Sequence, residues 1–484
     1  MTDLDTPSLF DVAIIGAGPV GATLAALLAK RGVSVVVLER DVDVYALPRA
    51  AHLDAETVRN LREIGAWSDA PGWSIVNEGM DFVNGDGQLL LRMTAVDSSD
   101  HTTPQSNLFH QPSLDRLIRE RALHHGATLL LGHEVVAVEE GPESARLVVR
   151  DSDGDETTVE ASWVVGCCGA RSFLRRHMGT SQVDLEFDEP WLVVDVIVND
   201  PDAPSPIRTV QVCDPRRPST IVPMPAPRRR FEFMLLPGET ADDVNQPEKI
   251  AEWMSPYLDS AAVTIERSAV YTFHGLIAEQ WRRGRLLLAG DAAHQMPPFL
   301  GQGMCSGIRD AANLAWKLAA VCRGADESLL DTYQPERSPH VQRIVESAVG
   351  FGRIICTLDA EEAAGRDQMM IAAREANPVD IGGAPMPSLS GSDLVTEGAG
   401  HVVGDGRVSG RVLDELLDGR WAVIGGKDSL TDDDRRVLSR LDAVVVELPD
   451  REPSIVRPDR IVFGTGRAAL DTLAEVTNRY SLAG

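Results

Sequence analysis

Three glycines spaced as Gly16-x-Gly18-x-x-Gly21, with Ala17, Pro19 and Val20 between them, follow the apolar run Val12-Ala13-Ile14-Ile15 and open an alanine- and leucine-rich stretch. Glycine at the first position permits a tight turn, at the second it lets the backbone approach a pyrophosphate, and at the third it lets helix and strand pack closely. The open N–H groups and positive dipole end of the following helix then meet phosphate. Glu39, 23 residues after Gly16, closes the next apolar run and can accept the hydroxyls of an adenosine ribose. The chemistry indicated is dinucleotide binding. A second glycine pair, Gly404 and Gly406, has no strand before it and reads as a flexible turn.

A further set lies far along the chain. The run 285–289 ends in Gly290-Asp291-Ala292-Ala293-His294, and ten residues after Asp291 come Gly301-Gln302-Gly303-Met304 at the start of a long helical pattern. An acid at a strand end followed by another open helix N-terminus suits a long, extended cofactor. Asp291 can hold a ribityl or ribose hydroxyl, and the N–H groups near Gly303 and Met304 can meet the anionic end of a reduced flavin. Pro297 and Pro298 hold the loop between them.

Positioning these residues takes several elements. Residues 11–39 read as strand, glycine turn, helix over 20–31 and second strand; helices from 54 and over 113–125, and strands at 128–131, 135–138 and 164–166, continue an α/β pattern. From 191 to 272 proline-separated strands replace it, and helical periodicity returns over 302–322 and 341–355. The fold class is therefore α/β: a discontinuous Rossmann-like domain (1–75, 106–180, 275–375), an inserted sheet-rich domain (76–105 and 181–274), a Gly-, Pro- and Ser-rich linker (376–411) and a small C-terminal α/β unit (412–484). The 484 residues are ample for this. Lys plus Arg total 46 against 73 acids, a net charge of −27, which excludes nucleic acid or an anionic membrane as partners through bulk charge. Six cysteines without a CxxC pair suggest neither a disulfide framework nor a metal site. With an acidic N-terminus and no long apolar run, a cytoplasmic enzyme is expected.

Taken together, Gly16–Gly21, Glu39-Arg40, Pro48-Arg49-Ala50, the run RLLLAGDAAHQMPPFLGQGMCSGIRDAANLAWKL and the interrupted domain order resemble the aromatic-ring flavoprotein hydroxylases over about residues 10–360. This group includes para-hydroxybenzoate hydroxylase and phenol hydroxylase. PRAAHLDAET, CDPRRP and RRFEFMLLPGET look most like the 3-(3-hydroxyphenyl)propionate hydroxylases within it. The resemblance implies FAD held by Gly16, Gly18, Pro19, Val20, Gly21, Glu39, Arg40, Arg49, Gln111, Gly290, Asp291, Pro298, Gly301, Gln302, Gly303 and Met304. It implies NAD(P)H as a transient co-substrate, O2, and attack of a flavin C4a-hydroperoxide on an electron-rich aromatic carbon. The C-terminal unit looks like the family's thioredoxin-like domain, without its CxxC. One departure stands out: Cys168 occupies the place of the family's Asp in Gly166-Cys167-Cys168-Gly169, so either Arg171 and Ser172 rebuild the local network or pyridine-nucleotide reduction is weakened.

The resemblance places His52 and Asp54 near flavin and substrate as candidate catalytic groups, His52 because an imidazole titrates near neutrality. Asp54 can equally cap the helix that follows. Arg230 can meet a substrate carboxylate, although alternation forbids Arg228, Arg229 and Arg230 from all facing inward; Tyr271 and His274 are further substrate-side candidates. The expected partner is a small phenolic acid or related arene, with a homodimer allowed. Rival readings are a tailoring hydroxylase of a larger polycyclic product and a flavin-binding redox sensor.

Overall fold

The computed structural model describes residues 9–68, 71–95, 102–200, 202–203, 205–259, 262–382, 386–426, 430–448 and 451–483. Residues 1–8, part of the acidic N-terminus behind the expectation of a cytoplasmic enzyme, lie outside them. Leu9–Ile15 pairs in parallel with Val35–Glu39 on one side and Glu156–Gly166 on the other. The sheet continues through Leu286–Leu288 beyond Glu156–Gly166 and Thr128–Leu131 beyond Val35–Glu39. Parallel strands are covered on both faces, which is why Val12 to Ile14 and Val35 to Leu38 are continuous apolar runs and buried throughout. The helix Pro19–Lys30, opened by Pro19 in its first turn, packs on this sheet, and Gly303–Cys322 packs against that helix.

A second sheet has nine strands, in the order His294–Gln295, Val263–Ala278, Gln182–Val198, Arg228–Met234, Ser219–Val222, Thr209–Cys213, Gly79–Asn84, Leu89–Thr94 and Ile381–Gly382. Thr209–Cys213 runs parallel to Gly79–Asn84, joining two segments far apart in the chain. Alternation sorts its faces: Leu192, Val194, Phe231 and Phe233 pack with Val244, Ile250 and Met254, while Val193, Asp195, Arg230 and Glu232 face the first domain. The strands Gln182–Val198 and Val263–Ala278 extend well past their apolar stretches, with register shifts between Asp184 and Asp188 and between Asp195 and Val196.

The C-terminal strands lie in the order Val444–Glu447, Ala422–Gly425, Ser454–Val456, Val462–Thr465, the first pair parallel and the others antiparallel, with helices Asp432–Arg440 and Gly466–Arg479. Their core continues into the long helix: Trp421 meets Trp316 edge to face at 5.6 Å between ring centroids. The stretch expected as a linker is packed rather than free. Leu389 and Leu394 are buried, and Asp405 accepts from Thr102 and Thr103. Glycine and proline disfavour long regular elements there, Ile381–Gly382 being a strand of two residues, without excluding burial.

An ionic hub closes this interface. Glu336 accepts from Lys317 Nζ, Arg457 Nη1 and Nη2, Asn313 and Ser392, and Arg457 also pairs with Asp459. Burial pushes Glu336 up, but Arg457 and Lys317 outweigh it and hold the carboxyl well below its usual range. Burial brings Lys317 down to about 8 against the pull of Glu336. Removing one partner of such a group leaves an uncompensated buried charge. Glu336→Gln is therefore expected to cost about 3–5 kcal/mol, read as a lower denaturant midpoint of the flavin-loaded protein.

Candidate active site

Gly16 has φ +106°, and a Cβ there would lie 2.6 Å from the carbonyl oxygen of Cys167. On Gly21 a Cβ would lie 2.0 Å from Gly16 O, so helix and strand meet backbone to backbone. Gly18 has nothing within 4 Å on its Cβ side and leaves the loop open to a cleft of about 1890 Å³. Glu39 braces the loop, accepting from Ala17 N at 2.7 Å and from Asp41 N at 3.0 Å, and Arg119 Nε holds Ala17 O at 2.8 Å. Val20 fills the gap that Gly290 and Gly307 leave, packing the first helix against the long one. Arg40 is exposed at the cleft's outer end, beside Asp41.

The loop before His52 is clamped from two sides. Gln111, expected to touch the cofactor, uses Oε1 to accept from Arg49 N at 3.0 Å and Ala50 N at 2.6 Å, while its Nε2 donates to Asp115. It acts on the loop as well as lining the cleft. Asp115 lines the cleft too; its other oxygen has no partner, and burial pushes its carboxyl up to about 6. The Arg49 guanidinium lies 4.3 Å above the Tyr45 ring, at the cleft wall. Gly290 opens a turn that carries Asp291 into the cleft, where crowding by protein pushes the carboxyl up. Cys168 Sγ lies 3.0 Å from Ser172 Oγ, and Ser172 caps the helix Phe173–Met178. Arg175 ties Ala170 O to Ala292 O, so the segment carrying Cys168 is joined to the Asp291 turn without a carboxylate.

Pro298, Gly301, Gln302, Gly303 and Met304 line the middle of the cleft. A Cβ on Gly301 would lie 2.8 Å from the His52 ring, so glycine is what lets this loop cover His52. His52 Nδ1 lies 3.3 Å from Gly301 O and Nε2 lies 2.9 Å from Ser106 Oγ. A carbonyl only accepts, which puts the proton on Nδ1 and leaves Nε2 to accept from Ser106. Asn77 Nδ2 donates to Ser106 at 3.1 Å. Burial lowers the His52 pKa from its ordinary value, Asp54 opposing, so the ring is neutral at neutral pH. Asp54 has a different task. Its Oδ1 caps the helix Ala55–Glu63 through Thr57 N at 2.9 Å and its Oδ2 pairs with Arg309, which also holds Glu56 and Gln302. Burial raises the Asp54 carboxyl, but Arg309, Thr57 N–H and His52 together keep it below its usual range. It stays charged and is no base poised near neutrality.

At the far end the cleft meets the inner face of the nine-stranded sheet. Arg230 does not offer the free guanidinium expected of it: Nε donates to Asp195 at 2.8 Å, Nη1 to Arg49 O at 2.6 Å and Nη2 to Pro48 O at 3.0 Å. Arg228 turns outward to Glu266, and Arg229 lies buried on the opposite face from Arg230. The Tyr271 hydroxyl accepts from Arg267, and half-exposed His274 pairs with Asp188 at the rim. Ser106, Asn77, Arg309, Gln211 and Glu232 also line the cleft and were not singled out from the chain. Only Glu232 had a local signal, since alternation places it with Arg230.

The glycine loop, the open backbone at Gly18, the acid ending the second strand and the second helix N-terminus fit an extended dinucleotide. The cleft is larger than the roughly 300–1,000 Å³ typical of small-ligand pockets, leaving room for a second ring beside it. A family model described as "FAD binding domain" matches residues 10–348. The chain belongs to that family. It is 37% identical over 504 residues to a probable NADH-specific resorcinol 4-hydroxylase of Rhodococcus jostii, covering 95% of this chain and 93% of that one. It is 34% identical over 438 residues to a 3-(3-hydroxy-phenyl)propionate/3-hydroxycinnamic acid hydroxylase of Klebsiella pneumoniae, covering 86% and 77%. The fold matches that of aklavinone-11 hydroxylase, solved with FAD and aklavinone, with TM-score 0.79 at 23% identity over 97% of this chain and 98% of that one. This is thus a flavoprotein aromatic hydroxylase, a monooxygenase with FAD as its cofactor. Overpacking costs about 1–3 kcal/mol, so Gly16→Ala is expected to weaken flavin retention by roughly 5- to 150-fold, measured as bound flavin absorbance after desalting.

Proposed function

We propose that the protein hydroxylates a small phenol in the cytoplasm, with NADH or NADPH as electron donor, and that His52 and Ser106 take up the phenolic proton. When bound, FAD accepts the hydride and activates dioxygen. The chain's own residues hold it, keep water from the ring and make the phenol electron-rich. Ser106 Oγ accepts from Asn77 on one lone pair and donates to His52 Nε2. Its second lone pair can accept from a phenolic O–H. As Ser106 passes its proton to Nε2 and takes the phenol's, the substrate becomes phenolate and His52 becomes imidazolium, its Nδ1–H still on Gly301 O. The observation that carries this reading is that the His52–Ser106 pair lies in the same cleft as the glycine loop, beneath the loop leading into the long helix.

The deciding experiment is oxygen uptake and NADH or NADPH oxidation by the flavin-loaded enzyme across a panel of phenols. Substrate-stimulated oxidation with hydroxylated product supports the reading, and its absence across the panel sinks it. A polycyclic phenol in the panel tests the tailoring alternative. Because neutral His52 is the active form and burial lowers its pKa, kcat/KM should hold above the ordinary value of 6.5 and fall only as pH drops below it. His52→Asn is expected to lower product formation about 100-fold and abolish that acid limb. Ser106→Ala cuts the path from the phenol to Nε2 and should reduce the rate and flatten the same limb.

A further inference from the structure

The substrate end of the cleft carries four charged side chains on one face of the nine-stranded sheet, paired across strands in the series Arg230, Asp195, Arg267, with Glu232 two residues along from Arg230. Both cations are committed. Asp195 accepts from Arg230 and Arg267, and the two guanidiniums give further N–H groups to Pro48 O, Arg49 O and the Tyr271 hydroxyl. Glu232 is different. The nearest cation, Arg230 Nη1, is 3.8 Å away, and among the described residues no donor lies within hydrogen-bond distance of its carboxylate. It is largely buried yet lines the cleft.

Thr220 pairs with Glu232 in the sheet on one side and with Gln211 on the other. Thr220 Oγ1 donates to Gln211 Oε1 at 2.6 Å, while Gln211 Nε2 has only the Met80 sulfur, at 3.6 Å, a weak acceptor. The sheet floor thus presents an under-used amide donor beside an acid with an open acceptor. A hydroxyl both donates and accepts and can satisfy the two together. A carboxylate only accepts and would meet Glu232, while the two guanidiniums of this sheet are already held by Asp195, Pro48 O, Arg49 O and the Tyr271 hydroxyl. Met80 lies three residues beyond Asn77, which holds Ser106, so this floor and the His52 pair share one wall of the cleft.

We infer that the substrate site selects an uncharged arene carrying a second hydroxyl group and rejects arenes bearing a carboxylate, with Glu232 and Gln211 as the specificity-determining residues. This rests on the reading of the cleft as a phenol site. Discrimination comes as much from the repulsive group as from the attractive one.

The test uses oxidised, FAD-loaded enzyme without NADH or NADPH, titrated with resorcinol, phenol and 3-(3-hydroxyphenyl)propionate while the flavin absorbance is followed, and then kcat/KM for each. Wild type should bind resorcinol at least about tenfold more tightly than the propionate. Glu232→Gln should shrink that ratio by about tenfold, mainly by strengthening the propionate, and Gln211→Met should lessen the preference for resorcinol over phenol without touching the charge balance. Equal or tighter propionate binding by wild type overturns the inference, as does an unchanged ratio in Glu232→Gln. If Glu232→Gln fails to retain FAD, the wild-type ratio and Gln211→Met decide. Turnover that prefers the propionate sinks this inference and leaves the phenol reading standing, whereas no response to any phenol removes both.

Discussion

The Asp195 carboxylate, standing between Arg230 and Arg267, is the interaction on which the site depends. Two guanidiniums on the strands flanking Gln182–Val198 would repel one another, and a buried acid between them lets both stay. Such a group gains little net stability, because desolvation offsets most of the attraction. Its effect is on position. The N–H groups that Asp195 leaves over seize Pro48 O and Arg49 O, while Gln111 holds the N–H groups of Arg49 and Ala50 from the other domain. The residues leading into His52 are thus held on both faces, and the imidazole is aimed by backbone that cannot drift.

The same arrangement shapes the electrostatics. A chain with net charge −27 must hold an anionic cofactor, and we propose that it does so locally, with helix N-termini and Arg49, while the sheet end of the cleft balances its own charges. Arg309 repeats the device on a smaller scale: one guanidinium joins Asp54 and Glu56 at the start of one helix to Gln302 at the start of another, on either side of His52. Buried charge in this protein is used to fix loops that have no regular hydrogen-bond ladder of their own.

The cofactor half was legible in the chain because its constraints are local. Gly16, Gly18 and Gly21 are separated by turn geometry, and Glu39 by the length of one helix and one strand, so spacing alone carries the function. The α/β fold class and the phenol-hydroxylating family were legible through period and motif. Asp54 was ambiguous, since an acid before a helix reads as cap or base equally well. Its role follows from Arg309, 255 residues away. Ser106 and Asn77 gave no local signal at all, one opening a short strand and the other following one, and Gln211 matters only because Met80 and Thr220 are its neighbours in the sheet.

By itself, then, the sequence determined the cofactor class and the α/β fold, because the glycine turn, the helix after it and the acid ending the next strand are set by local spacing and motif; that Gly301 covers His52, 249 residues away, is a tertiary fact. The tertiary structure decided which charges are free. Arg230 reads from the chain as a cation awaiting an anion, and only strand pairing reveals that Asp195 and two carbonyls have already claimed its N–H groups, leaving Glu232 3.8 Å away without a hydrogen-bond donor among the described residues. Net charge is a sum over composition, but the field in a pocket is set by which opposite charges the fold brings within hydrogen-bond distance, and that pairing is written nowhere in the local sequence.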